Sequence, residues 1–327
     1  MFALKIRPVL TCCLMLFPLL AILPGAQAKP FIDDLGRTVD VPATPKRIIS
    51  LYDVDITVPL IELGIIPIAS HGRMGLNGKP YLRTSKLLTG VDFDTDNIRY
   101  IGSTEIDLEA IAALKPDLII TSPIRTTPIE PLQYLAPTVS LDASMHGTRH
   151  IYRKLAQLTG TQNRLRALET RYQAGIDALK STIQTGSITV NVFQPLNGKI
   201  SVYHTYRSLG RVLRDAGFKF PALTDNIPVG ERIDVGAEYL PDLDADFIFD
   251  PYRADRGDGA AQERAAMEKV FPGFCQFLRA CQNGRYILVS REVAISSTYS
   301  ALALMTSLVQ SHVASHLEFA APHSAKP

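Results

Sequence analysis

From Arg47 onward, short apolar runs alternate with amphipathic stretches. Ile48-Ile49-Ser50-Leu51 predicts a buried strand, followed by a helix ending at Leu63-Gly64. Ile65-Ile66-Pro67-Ile68-Ala69 predicts a second strand. The segment from Leu108 to Lys115 is amphipathic, and Pro116-Asp117 punctuates it ahead of the apolar run Leu118-Ile119-Ile120-Thr121. Thr138-Val139-Ser140-Leu141 predicts another short buried strand. Such alternation predicts an α/β fold, a parallel-rich sheet with helices on its faces.

The middle of the chain breaks this rhythm. Leu165, Leu168, Tyr172, Ile176, Leu179 and Ile183 are spaced by three, four, four, three and four. That spacing makes one apolar face of a helix about 30 Å long. Gly160 precedes the helix and Gly186 closes it. Strand–helix alternation then restarts with Ile188–Phe193, Ile200–Tyr203, Leu209–Ala216 and Phe247–Phe249. The expected organisation is an N-terminal α/β lobe over 29–160, an inter-lobe helix over 161–186 and a C-terminal α/β lobe over 187–327. An internal repeat supports it. Glu109 stands eight positions before Asp117 and the strand Leu118-Ile119-Ile120; Glu238 stands eight before Asp246 and the strand Phe247-Ile248-Phe249.

Residues 1–28 belong to no lobe. Lys5 and Arg7 form a short positive region, an apolar stretch from Val9 to Leu23 is broken by Pro18, and Ala26-Gln27-Ala28 has small residues where a signal peptidase reads. The stretch is short for a membrane span, so a cleaved secretory signal is expected over an uncleaved anchor. Almost no apolar region precedes Leu10-Thr11-Cys12, which disfavours lipidation there. Removing 28 of the 327 residues leaves 299, and it takes away two basic residues and no acidic one. The formal charge falls from +2 to an even 32 against 32. A general nucleic-acid binder shows a large basic excess, so that class is excluded. The expected location is the periplasm. Cys12 and Cys13 leave with the signal, and Cys275 and Cys281 remain. On one regular helix these two would lie too far apart to bridge; in a loop or at a helix end they pair, and otherwise they are small buried side chains.

Catalytic signatures are missing: the sequence has no Gly-x-Gly-x-x-Gly, no Walker A and no Gly-x-Ser-x-Gly. His146/His150 and His312/His316 have i,i+4 spacing, but neither pair carries the Glu of a zinc-protease helix, and no third ligand is expected nearby. Both read as solvated or capping histidines, and no metal site or cofactor is expected. What the chain does offer is arginine and tyrosine just beyond strand ends, where open α/β sheets place ligands. These are Arg125 after Leu118–Thr121, Tyr203, Tyr206 and Arg207 after Ile200–Val202, and Tyr252 and Arg253 after Phe247–Asp250. The segment from His71 to Lys86 adds Arg73, Lys79, Tyr81, Arg83 and Lys86 with no acidic residue; it reads either as a cleft wall or as a mobile surface loop. Guanidinium groups make fork-shaped, charge-assisted hydrogen bonds to oxygen anions, so the ligand expected in such a cleft is a large anion.

Gly36-Arg37-Thr38 through Val41-Pro42, Pro45-Lys46-Arg47-Ile48-Ile49 and Leu63-Gly64 resemble the opening of the periplasmic siderophore-binding proteins of ABC importers. The block from Ile101-Gly102-Ser103 through Asp107-Leu108-Glu109 to Leu118-Ile119-Ile120 resembles the ferric citrate-binding members most closely, and Asn283-Gly284-Arg285 is similar to a late turn of the family. The resemblance implies two Rossmann-like lobes joined by one long rigid α-helix, the helical-backbone periplasmic binding fold. It implies a monomer that is not an enzyme, capturing a ferric siderophore with the iron inside the chelate and delivering it to a dimeric inner-membrane permease. Glu109 and Glu238 match the two carboxylates, one per lobe, that dock on the permease. Arg125, Arg207 and Arg253 match arginines that face an anionic chelate; Arg73, Tyr81, Arg83, Tyr203 and Tyr252 complete the expected ligand set. The late loop Val293-Ala294-Ile295 lacks the aromatic that coordinates iron directly in some members. Haem or cobalamin is the alternative ligand, with His71, Tyr203 and His204 as candidate axial groups; a secreted α/β enzyme is the alternative of another class.

Overall fold

The computed structural model describes residues 28–318 apart from Leu76, Asp255 and Arg256. The expected signal, with Cys12 and Cys13, lies outside the described residues except for Ala28. The N-terminal lobe contains strands β1 (Ala28–Ile32), β2 (Thr38–Pro42), β3 (Ile48–Ser50), β4 (Ala69–Ser70), β5 (Arg73–Met74), β6 (Pro80–Tyr81), β7 (Arg99–Tyr100), β8 (Leu118–Thr121) and β9 (Thr138–Ser140). Five of them form an all-parallel sheet in the order β7-β4-β3-β8-β9, while β1–β2 and β5–β6 are separate antiparallel hairpins. The C-terminal lobe contains β10 (Val190–Leu196), β11 (Lys199–Tyr203), β12 (Arg232–Val235), β13 (Phe247–Tyr252) and β14 (Tyr286–Ser290), in the order β12-β11-β10-β13-β14.

Two strand expectations need correction. The segment Ile65–Ala69 does not pair along its length; pairing begins at Ala69, opposite Ile49. Pro67 has no N–H to give a ladder, so the chain reaches the sheet only beyond it. In the C-terminal lobe, β10, β13 and β14 are parallel, but β11 and β12 run antiparallel. Asn197 and Gly198, both at positive φ (52° and 75°), close a tight hairpin between β10 and β11. Tyr203, Tyr206 and Arg207 therefore follow a returning strand, not the carboxyl end of a parallel one.

The internal repeat has a structural meaning. Asp117 accepts the backbone N–H groups of Lys46 and Arg47 at 2.7 and 2.8 Å. Asp246 accepts the N–H and hydroxyl of Thr189 at 2.8 and 2.7 Å. In each lobe the next residue begins a central strand, and the registers match: Ile48 pairs with Leu118, and Val190 with Phe247. Each Asp thus clasps the start of the adjacent parallel strand, and the eight-residue spacing places Glu109 and Glu238 at equivalent points of the two lobes.

The lobes share one apolar core. A helix over Gln162–Thr182 buries Leu165, Leu168, Tyr172, Ile176 and Leu179, the face that the spacing predicts. Around it gather Ile48, Ile120 and Leu141 from one lobe and Val190, Phe247 and Ile287 from the other, with Met305 and Val309 of the C-terminal helix Tyr299–Glu318. A buried carboxylate ties the lobes here as well. Glu62 accepts the N–H groups of Tyr299 and Ser300 at 3.0 and 2.9 Å and the Tyr152 hydroxyl. It so caps the first turn of the C-terminal helix from the opposite lobe. Cys275 and Cys281 form a disulfide. They lie on two separate short turns, Phe274–Gln276 and Arg279–Gln282, whose junction brings the Cα atoms to 5.0 Å.

Candidate functional site

A cleft of about 970 Å³ opens between the lobes. One wall is the β5–β6 hairpin and the short helix after it, which contribute Arg73, Lys79, Tyr81, Arg83 and Lys86. The other wall comes from the carboxyl ends of β13 and β14, which contribute Arg253, Arg291, Glu292 and Ile295. The strand-end rule thus holds for the parallel part of the C-terminal sheet. Of the residues expected from sequence to contact ligand, Arg73, Tyr81, Arg83 and Arg253 line this cleft.

The segment 71–86 is an anchored wall. Gly72 lies under the Phe93 ring, where a Cβ would come within 2.5 Å of the ring carbon and 2.9 Å of the Tyr81 carbonyl. Asp92 accepts the Leu82 and Phe93 N–H groups, both at 2.8 Å, and Leu82 packs with Ile61 and Ile98. Arg83 reaches back to fully buried Asp53 with Nε at 2.9 Å and Nη2 at 2.5 Å. Burial alone would raise the Asp53 carboxyl. Hydrogen bonds and charge from Arg83 and His71 outweigh that and hold it well below the ordinary carboxylate range. Asp53 begins a buried π-helical turn, Asp53–Thr57, directly after β3. The Arg83 charge is therefore largely spent on positioning the wall.

Six cationic side chains and three carboxylates line the cleft. Lys86 pairs with Asp94, Asp92 is committed to backbone donors, and Glu292 accepts the Ser290 hydroxyl at 2.6 Å. Arg73 and Lys79 have no ion-pair partner among the described residues, and the Arg291 Nε is buried with no hydrogen-bond partner. An anion entering the cleft meets a positive field with unused donors. Behind the second wall, Asp250 accepts the Tyr286 hydroxyl at 2.5 Å and faces Glu263. Burial, reinforced by the Glu263 charge, pushes Asp250 well above the ordinary range. Burial also lifts Glu263 to about 7. Burial thus favours the protonated form in both groups.

The remaining expected residues lie elsewhere. Arg125 stays within its own lobe, bonded to His71 Nε2 at 3.1 Å and to the carbonyls of Ser103 and Thr104. Arg207 crosses between the lobes to Asp55 at 3.5 Å and donates to Ser297 of its own lobe at 3.1 Å. Tyr203 stacks edge-on against Tyr206 and accepts from Arg232 at 3.2 Å. Tyr252 ends β13 opposite Ser290. None of these four lines the cleft among the described residues, nor do the haem-ligand candidates His71, Tyr203 and His204; His71 is fully buried behind the wall. Glu109 and Glu238 are both exposed. Arg291 and Glu292 escape the sequence reading, which reaches only the adjoining loop Val293-Ala294-Ile295, although Tyr286-Ile287-Leu288-Val289-Ser290 is an apolar strand followed by a charge, the same signal that marks Arg253. Against the expectation that His146 and His150 have no third group nearby, the β1–β2 turn brings Asp34 to within 2.7 Å of His150.

Two α/β lobes pinned by one long helix, with a charged cleft at the strand ends, define a two-lobed ligand-binding protein. The pattern of a family described as "Periplasmic binding protein" matches residues 89–271, and the chain belongs to that family. A "probable siderophore-binding lipoprotein", YfiY of Bacillus subtilis, is 28% identical over 260 residues, 76% of each chain. An "Fe(3+)-citrate-binding protein", YfmC of the same organism, is 26% identical over 225 residues, 66% of each chain. Among solved structures, SirA of Staphylococcus aureus complexed with staphyloferrin B has a TM-score of 0.69 at 20% identity, covering 89% of this chain and 98% of that one. Unliganded FhuD2 of the same organism has a TM-score of 0.64 at 20% identity, covering 90% and 100%. Both likenesses are of fold.

Proposed function

We propose that this protein captures an anionic ferric siderophore outside the cytoplasm and hands it to an ABC permease, without catalysing a reaction. The observation that carries the reading is the cleft's excess of cationic side chains, Arg73 and Lys79 above all, which have no ion-pair partner among the described residues. Iron is the cargo, held by its chelate; the protein recognises shape and negative charge. The descriptions of the relatives as siderophore- and Fe(3+)-citrate-binding support this reading, and the description of YfiY as a lipoprotein supports a place outside the cytoplasm. The leader-like residues 1–28 favour export to the periplasm. Glu109 and Glu238, exposed at equivalent points of the two lobes, are assigned to docking on the two permease subunits; exposed charges of this kind orient and steer an encounter more than they tighten it. Arg125 and Arg207 act in this reading as supports of the cleft walls.

The test is tyrosine fluorescence quenching against a panel of ferric siderophores and haemin, in a chain with no Trp. Saturable quenching by at least one anionic ferric siderophore is expected. Arg73→Ala and Arg253→Ala should each weaken it by about 1–3 kcal/mol, roughly five- to hundredfold. Saturation by haemin alone, or affinities unchanged in both variants, overturns the assignment. Turnover of a substrate by the purified protein revives the enzyme reading.

A further inference from the structure

We propose that Asp34, His146 and His150 form a binding site for one divalent transition metal ion of borderline softness, such as Zn2+, distinct from the cleft and from its ferric cargo. Their ligand atoms, one from each residue, all lie within 4.8 Å of one another. None of the three lines the cleft.

The chain converges here from two distant segments. Asp34 occupies the turn between β1 and β2, and its side chain is only 2% exposed. Its backbone N–H is bonded to Ser140 at 3.0 Å, and its Oδ2 accepts the Asp142 N–H at 2.8 Å. The carboxylate is thereby oriented with Oδ1 turned to His150 Nε2 at 2.7 Å, an outer-shell arrangement that fixes a ligand before the ion arrives. The histidines are not on one regular helical face. Gly147, at φ 73° and ψ 178°, breaks the helix Ala143–Thr159 between them, and the two imidazole rings come within 4.5 Å, centre to centre.

This donor set suits some metals and not others. Two imidazoles and one carboxylate favour Zn2+, Co2+ or Ni2+, and leave an open position for water. With metal–ligand bonds of about 2.0–2.1 Å, tetrahedral ligand atoms stand roughly 3.3 Å apart. The Asp34–His150 contact must widen by about half an ångström and His146 must move inward; His146 is exposed and adjoins the Gly147 break, so it is the group placed to move. Lys154 Nζ, 3.8 Å from Asp34 Oδ1 and held by the Ile32 carbonyl at 2.7 Å, opposes the cation and keeps the affinity moderate. Occupancy would staple the β1–β2 turn to the helix that follows β9.

The experiment is calorimetric titration of the untagged, chelator-stripped protein with Zn2+, and visible spectroscopy with Co2+, on wild type, His146→Ala, His150→Ala and His312→Ala. One Zn2+ per chain is expected, with affinity reduced at least about tenfold in His146→Ala and His150→Ala, unchanged in His312→Ala, and with the Co2+ ligand-field bands lost in step. His146→Ala leaves the Asp34–His150 pair intact, so its folding, checked by circular dichroism, is not at stake even if His150→Ala unfolds. Absence of saturable binding by wild type overturns the site. So does undiminished affinity in His146→Ala, or loss of binding in His312→Ala. Siderophore quenching, measured in parallel, reports on the cleft independently.

Discussion

Glu62→Gln perturbs a buried carboxylate that joins the lobes. Its Oε1 accepts Ser300 N–H at 2.9 Å, and its Oε2 accepts Tyr299 N–H at 3.0 Å and the Tyr152 hydroxyl, all in a buried setting. An amide keeps one acceptor oxygen and turns an NH2 toward the other donor. At least one backbone N–H then loses its partner, costing about 1–3 kcal/mol, and the other bonds lose their charge assistance. Relief of the carboxylate's own desolvation offsets part of this. The net expected loss is about 2–3 kcal/mol, a fall in Tm of about 5 °C for a chain of this size. Thermal and urea unfolding at pH 7 should show it. Tyr152→Phe should cost about 1 kcal/mol alone and much less in the Glu62→Gln background, a coupling of at least about 0.5 kcal/mol in a double-mutant cycle. Unchanged stability in Glu62→Gln, or strict additivity in the cycle, would refute the clamp.

Replacing Glu109 and Glu238 together by Gln should abolish uptake in cells while siderophore affinity stays within about twofold; uptake that survives removes the docking role. Glu263 is lifted to about 7 in the folded protein, so folding takes up a proton and stability falls as pH rises from about 4.5 to 7. Glu263→Gln should flatten that fall, and urea unfolding at pH 5 and pH 8 reads the difference; an unaltered slope counts against the raised Glu263 carboxyl. Cys281→Ser should lower stability by about 2 kcal/mol, the entropic constraint of a six-residue separation. Reducing the wild type should reproduce that loss, and insensitivity to reductant would contradict the bridge.

Local signals carry most of the architecture. The 3.6-residue spacing from Leu165 to Leu179 is enough to place the bridging helix, because burial on one face needs that period and no partner has to be known. The eight-residue repeat likewise marks Asp117 and Asp246, since both clasp a strand in the same register. Where the reading slips, a local signal was given too little weight. Asn197-Gly198 is a strong hairpin turn and sets β11 antiparallel, and Pro67 delays β4. The site is less legible because its energetics depend on pairings across the chain. Arg83 looks like a free cation until Asp53, thirty residues earlier, is brought beneath it. Arg125 looks like a strand-end ligand until the Ser103 and Thr104 carbonyls meet it, and Asp34 joins His150 across 116 positions.

The shared core bears on how the chain folds. Neither half owns a complete apolar interior: Leu168 and Tyr172 of the bridging helix, with Met305 and Val309 of the terminal one, serve both lobes. A fragment ending before the bridging helix would leave the inner faces of its own helices in water, and would lack the N–H groups that satisfy Glu62. The two lobes are therefore architectural divisions inside a single cooperative unit. Heating should melt them in one calorimetric transition, and the N-terminal lobe, first off the ribosome, must wait for the last helix before it is stable.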